Sequence, residues 1–258
     1  MADVNSSSTG ITAARHGHSA WVRISHWIIV VGFLLLAFTG ITILMAHPRL
    51  YWGEVGNDLT PALLDIPLNN NHRPDEWVPE TVFTAMPGAP VSAVRGYEKE
   101  LFNQNSWGRS LHFLSAWALV TMGAIYVVIG VATGHLRRDL LPRLRELSPG
   151  ALWRDLREHL WPPANAAVGG PPYGVLQRLA YTGVVFVALP LMLLTGLTMA
   201  PAVTASFPSL LDLFGGYQSA RTIHFFCFSA LILFLVVHVA MVFVSGFGRQ
   251  LKAMTLGK

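Results

Sequence analysis

The sequence predicts an all-α membrane protein: a four transmembrane-helix bundle with a long periplasmic connection between helices 1 and 2. Three observations carry that expectation. Four apolar runs, at residues 21–45, 110–133, 175–199 and 221–246, are each long enough to cross a ~30 Å hydrocarbon layer as a helix. Only 12% of the 258 residues are charged, about half the share of a soluble domain, while 52% are apolar. The arginines gather in the two tails and in one connection, the pattern of a chain threaded through a membrane.

In chain order, residues 1–20 form a polar tail holding Arg15, His16 and His18. It lacks the apolar core of a secretory signal, so the first run is expected to be a retained helix. That helix, 21–45, carries Arg23 and His26 at its start and Gly40 near its end. Residues 46–107 are polar, rich in Pro and Asn and net acidic. Connections of this length usually have their own structure or function. Short amphipathic helices are expected near Pro61–Leu64 and Ser92–Phe102, and the aromatic stretch Pro48 to Gly53 suits a membrane interface. Helix 2, 110–133, follows Arg109 and opens on His112, with Gly123 and Gly130 further along. The connection 134–174 carries Arg137, Arg138, Arg143, Arg145, Arg154 and Arg157. Helix 3, 175–199, has no histidine and is expected to kink at Pro190. Helix 4, 221–246, leads to a short basic tail, 247–258. Net-acidic 46–107 against basic tails and 134–174 places both termini and the second connection in the cytoplasm. The whole chain, 1–258, then reads as one membrane domain.

Several chemistries are excluded early. The lone cysteine, Cys227, rules out an intrachain disulfide, a four-cysteine iron–sulfur site and covalent c-type haem attachment. No aromatic-interleaved basic patch points to nucleic acid.

Helix 4 is the informative one. Between Thr222 and Ser245 it contains no Asp, Glu, Lys or Arg, yet it holds His224 and His238, 14 residues apart. At ~100° per residue these rings leave nearly the same face, and at ~1.5 Å per residue they differ in depth by ~21 Å. Ionisable groups inside a membrane are costly and usually functional. Two hydrogen-bonded histidines between packed helices, or a proton relay, would also account for this helix alone.

The other helices add to it. By depth, His26 is level with His238 and His112 with His224, one pair near each surface. Bis-histidine ligation of two non-covalent b-type haems, inner on His26/His238 and outer on His112/His224, accounts for all four positions. Arg-x-x-His occurs at Arg23/His26, Arg109/His112 and Arg221/His224. Arginines one turn from the ligands can pair with haem propionates. Gly40 falls at the level of the outer pair, and Gly123 with Gly130 brackets the inner pair, where a glycine lets the backbone approach a porphyrin. Close helix–helix packing is the other use of such glycines.

On His26-Trp27, Arg109-x-x-His112, Thr195-Gly196 and the His224…His238 spacing, the chain resembles the bacterial four-helix dihaem cytochrome b family of the b561 type. Its relatives include the cytochrome subunits of formate dehydrogenase, nickel–iron hydrogenase and thiosulfate reductase. The resemblance covers nearly everything except the tail and the outer connection. It implies the same two haem pairs, a bacterial inner-membrane location, and electron exchange between a membrane quinone and a periplasmic oxidoreductase. The segments P-R-L-Y-W-G-E and G-R-S-L-H-F-L-S-A-W are most like the branch accompanying molybdopterin-dependent partners; an iron–sulfur protein is the other kind of partner. Arg15, His18, His135 and Gln177 are candidate quinone-site residues by their cytoplasmic side. Two rivals stand beside this reading. One is a stand-alone quinol- or superoxide-reactive cytochrome b. The other is a histidine-based transporter, against which the lack of intramembrane carboxylates counts.

Overall fold

The computed structural model describes residues 19–56, 61–66, 105–160 and 174–257. Four helices in it are long and apolar enough to cross a membrane: Ala20–Ala46, Trp107–Ala132, Val175–Thr198 and Tyr217–Val244. The first is α1 (Ala20–Ala46) and the second belongs to α2 (Asn105–Ala132). The third is composite, with α4 (Val175–Gly183), a π-helical turn (Val184–Ala188) and α5 (Leu189–Thr198). The fourth is α8 (Tyr217–Val244), which starts one turn before Arg221. Between them run α3 (Pro149–Leu160), α6 (Pro201–Ser206) and α7 (Ser209–Phe214); α9 (Phe247–Thr255) follows the last span. Large apolar side chains such as Leu114, Val128, Leu233 and Val236 stay exposed along the spans, as a lipid solvent requires.

Polar side chains inside the spans satisfy themselves on their own helices. The hydroxyls of Ser25, Thr39, Thr195 and Ser229 donate to carbonyls four residues earlier, at 2.7, 2.7, 2.7 and 2.9 Å. This back-bonding spares the cost of an unpaired donor in hydrocarbon. In the third span, Pro190 falls in the first turn of α5, directly after the π turn. The missing proline N–H is thus absorbed by a widened turn. The Cys227 thiol donates to the Ala188 carbonyl at 3.3 Å.

The spans pair as two hairpins. α1 packs along α2, and α5 packs along α8. Glycines set the first contact: Gly32 faces Leu119, and a Cβ on Gly108 would meet Thr42 Oγ1 at 2.9 Å. We call the end holding residue 20 and α9 proximal, and the opposite end distal.

The distal end is clamped. After α1 the chain enters β1 (Arg49–Leu50), which pairs antiparallel with β2 (Leu64–Asp65), and Arg49 bridges Asp65 at 3.1 Å. The helix expected at Pro61–Leu64 is absent. Leu63 N–H instead donates to Leu50 O at 2.7 Å and Ile66 N–H to Pro48 O at 2.9 Å, so cross-strand pairing takes the backbone groups a helical turn would use. The stretch Ser92–Phe102 lies outside the described residues. The clamp is fastened to the start of α8, whose first N–H groups have no partner within the helix. Gly53 O accepts from Gln218 and Ser219 N–H at 2.9 and 3.2 Å, and Gly53 N–H donates to Ser219 Oγ at 2.7 Å. Thr222 Oγ1 donates to Tyr51 O at 2.6 Å. Gly216, at φ 110°, would carry a Cβ only 2.6 Å from the Gly53 backbone, so no other residue fits there.

At the proximal end, α9 folds back on the start of α1. Trp27 Nε1 donates to Met254 O and Arg23 Nη1 to Thr255 O, each at 3.0 Å, taking carbonyls that the end of α9 leaves open. The proximal connection is anchored by buried Arg178, which donates to Glu146 Oε2 at 2.8 Å and to Leu141 O. Asp155 accepts the Leu176 N–H at 2.7 Å in the first turn of α4.

Candidate functional site

The four span histidines are all half-buried, and they fall two to each end of α8. Proximally, His26 of α1 faces His238 of α8 with ring centroids 6.5 Å apart. Phe234 stacks on His238 at 5.9 Å and 19°, and Tyr181 meets it edge-on at 6.3 Å. Gln177 Nε2 donates to the Tyr181 hydroxyl at 2.7 Å. Trp27 packs edge-on to His26 at 5.4 Å. The proximal pair is framed by aromatic rings.

Distally, the setting repeats itself. Thr39 Oγ1 lies 2.9 Å from His112 Nδ1, and Thr195 Oγ1 lies 2.9 Å from His224 Nδ1. Both threonines are fully buried. Each hydroxyl already spends its hydrogen on a carbonyl of its own helix, so toward the imidazole it can only accept. Nδ1 of each ring therefore carries the proton, and Nε2 keeps a lone pair. That is the tautomer a metal ligand needs. The next residue is glycine in both cases: a Cβ on Gly40 or Gly196 would touch the Cε1 of His112 or His224 at 3.6 Å.

Sequence reasoning overlooked the duplication behind this. Thr39-Gly40-Ile41-Thr42 of α1 corresponds to Thr195-Gly196-Leu197-Thr198 of α5, and Arg109-Ser-Leu-His112-Phe to Arg221-Thr-Ile-His224-Phe. Each hairpin thus supplies one Thr-Gly step and one histidine to the distal site. The signal was present as a short internal repeat, and Thr39 is the functional candidate it would have added; Tyr181, which belongs to no repeat, carried no such signal.

The remaining predicted residues divide. Arg221 donates to Arg49 O at 2.9 Å and to His47 O, while Arg23 holds the end of α9. Both guanidiniums are thus engaged with backbone carbonyls, although Arg23 Nε is buried without a hydrogen-bond partner among the described residues. Arg109 is exposed. Gly123 opens onto free space, whereas Gly130 receives the Leu136 side chain, 2.8 Å from where a Cβ would stand. Gly130 therefore accommodates the π-helical turn Leu136–Leu140 and not the proximal pair. His135 sits 3.3 Å from the Tyr126 hydroxyl and edge-on to Trp21. Arg15 and His18 lie outside the described residues.

The proximal pair fits a haem held between two imidazoles. With metal–imidazole bonds of about 2 Å on each side and ring nitrogens about 1 Å from the ring centre, two axial imidazoles have centroids ~6 Å apart. The observed 6.5 Å separation of His26 and His238 is close to that. Among the described residues no three His, Cys, Asp or Glu side chains converge, so imidazole pairs are the donor sets on offer.

A family profile described as prokaryotic cytochrome b561 matches residues 17–257, and the chain belongs to that family. It is thus a multi-pass membrane protein of a b-type haem family. A relative from Azospira oryzae, a putative protein-methionine-sulfoxide reductase subunit YedZ1, is 28% identical over 225 residues, covering 87% of this chain and 89% of its own. No solved structure matches the chain.

Proposed function

We propose that this cytochrome b561 holds two haems, one on His26 and His238 and one on His112 and His224, and passes electrons from a membrane quinol to a redox protein docked at its distal face. The single observation that carries the reading is the approach of half-buried His26 and His238, ring centroids 6.5 Å apart at one end of α8, with half-buried His224 on the same helix near its other end. When bound, the haems supply one-electron transfer across the membrane; the protein's part is to position and tune them.

Each residue then has a task. The proximal rings Phe234, Tyr181 and Trp27 exclude water from His238 and His26. Gln177 and Tyr181, a polar pair against His238, are the groups best placed to hydrogen-bond a quinone headgroup. Arg23, through its unpartnered Nε, and exposed Arg109 serve propionates; Arg221 does so with whatever donor capacity its two carbonyls leave. Open space beside Gly123 admits the proximal porphyrin edge, and Gly40 with Gly196 lets a flat ring approach the distal imidazoles. The arginine-rich proximal connection supports a cytoplasmic side for that end and for both termini, in a bacterial inner membrane. The distal clamp then faces the periplasm and forms the partner's platform. The relative's description as a reductase subunit favours a partner that consumes electrons, and the segments P-R-L-Y-W-G-E and G-R-S-L-H-F-L-S-A-W favour a molybdopterin enzyme as that partner.

The test is quinol oxidation by the protein in liposomes, followed through the haem α-band. Reduction by quinol, abolished in Tyr181→Phe combined with Gln177→Leu but with haem content intact, is expected. Haem-replete protein that no quinol reduces would refute the electron-transfer direction.

A further inference from the structure

The two ends of α8 offer the same donor, neutral imidazole, in different surroundings. Distally the surroundings are duplicated to the resolution of the distances: hydroxyl to Nδ1 at 2.9 Å twice, glycine Cβ position to Cε1 at 3.6 Å twice, hydroxyl to its own i−4 carbonyl at 2.7 Å twice. Packing alone does not call for this. A buried threonine in a span is already satisfied by its own helix carbonyl, and an apolar residue of the same shape would fill the space equally well. The second contact of each hydroxyl, to a ring nitrogen of the other helix in its hairpin, is additional.

We propose that Thr39 and Thr195 are a matched pair of positioning residues that set the electronic character of the distal haem. This rests on the reading of His112 and His224 as ligands. Each threonine oxygen accepts the Nδ1 proton of one imidazole, draws that proton outward and leaves Nε2 a stronger donor. Stronger axial donation favours the oxidised, more positive iron, so the pair lowers the distal potential. Because the two contacts are equal in length and both threonines are fully buried, the two contributions are of similar size and add.

The geometry also explains why each partner is a hydroxyl that accepts. The adjoining glycine brings the helix backbone to the ring edge, a Cβ there standing 3.6 Å from Cε1 in both cases. The hydroxyl's single hydrogen is committed to the carbonyl of Leu35 or Leu191, so it cannot donate to Nδ1 and select the other tautomer. A donor at that position would turn the lone pair away from the metal side. The ring would then present N–H to the iron.

Purified full-length protein carrying Thr39→Val, Thr195→Val, both together, and the two Thr→Ser changes would be titrated potentiometrically while the haem spectrum is recorded. His112→Ala, which keeps only the proximal haem, identifies which component is which. The expected result is a shift of the distal component to more positive potential in each Val variant. The two shifts should be of similar size, their sum should appear in the double variant, and serine should restore the wild-type value. The proximal component stays in place. Should a Val variant instead lose the distal haem, retention in the matching Ser variant supports the hydroxyl's role, and loss in both overturns it. Unmoved potentials in the Val variants, or serine behaving as valine, likewise overturn it. Wild-type protein without haem would refute the ligand reading itself, a different failure from a dihaem protein indifferent to these threonines.

Discussion

The distal and proximal ends of the bundle hold their histidines by different means. At the distal end, hydroxyls, glycines and a clamp of backbone hydrogen bonds surround His112 and His224: Gly53 caps α8, Thr222 ties it to Tyr51, and Arg221 grips two carbonyls. At the proximal end, aromatic rings surround His26 and His238, and the fastening is by Trp27 and Arg23 on the end of an exposed helix, α9. Directional bonds fix both position and tautomer of a ring. Aromatic faces fix position through apolar contact. Under the proposed function, the first suits a site that hands electrons to a docked protein, and the second suits a site that meets a hydrophobic substrate.

That contrast can be broken in graded steps. The largest effect is expected from Gly40→Leu. Atoms beyond a Cβ already 3.6 Å from His112 Cε1 must push the ring off Thr39, so haem analysis should show the distal haem lost and the proximal one kept. Next comes Arg221→Ala, which leaves the carbonyls of His47 and Arg49 without their charged donor. A loss of about 2–3 kcal/mol in thermal unfolding is expected, only partly recovered by Lys, whose point charge cannot reach both carbonyls in one plane. Ser219→Ala removes the acceptor for Gly53 N–H and should cost about 1 kcal/mol in the same assay. Smallest is Trp27→Phe. Its bond to Met254 O lies at an exposed position, so stability should fall by less than about 1 kcal/mol, with any spectral change confined to the proximal haem. A proximal loss larger than that of Arg221→Ala would reverse the comparison.

Much of this was legible from residues 221–246 and their counterparts. Spans follow from uncharged apolar length, and the two-depth arrangement follows from the 14-residue spacing of His224 and His238 on a regular helix. The clamp was not legible. Leu50 and Leu64 form a two-residue pairing too short for any periodicity, and Arg221 meets carbonyls that sequence separation hides. Gly130 illustrates the limit of direction and depth: it met both expectations for a haem neighbour, but the chain turns back after Ala132 and Leu136 occupies its open side. Thr39 and Thr195 were visible as a repeated Thr-Gly-x-Thr step, though their role emerges only when the histidines of the partner helices stand beside them.

The central claim is one haem at each end, and the most direct measurement is haem per chain in purified wild-type protein and in His112→Ala, with dithionite-reduced minus oxidised spectra. Two non-covalent b haems in the wild type and one in the variant are predicted. A wild type with one haem or none, or a variant that keeps both, would contradict the account.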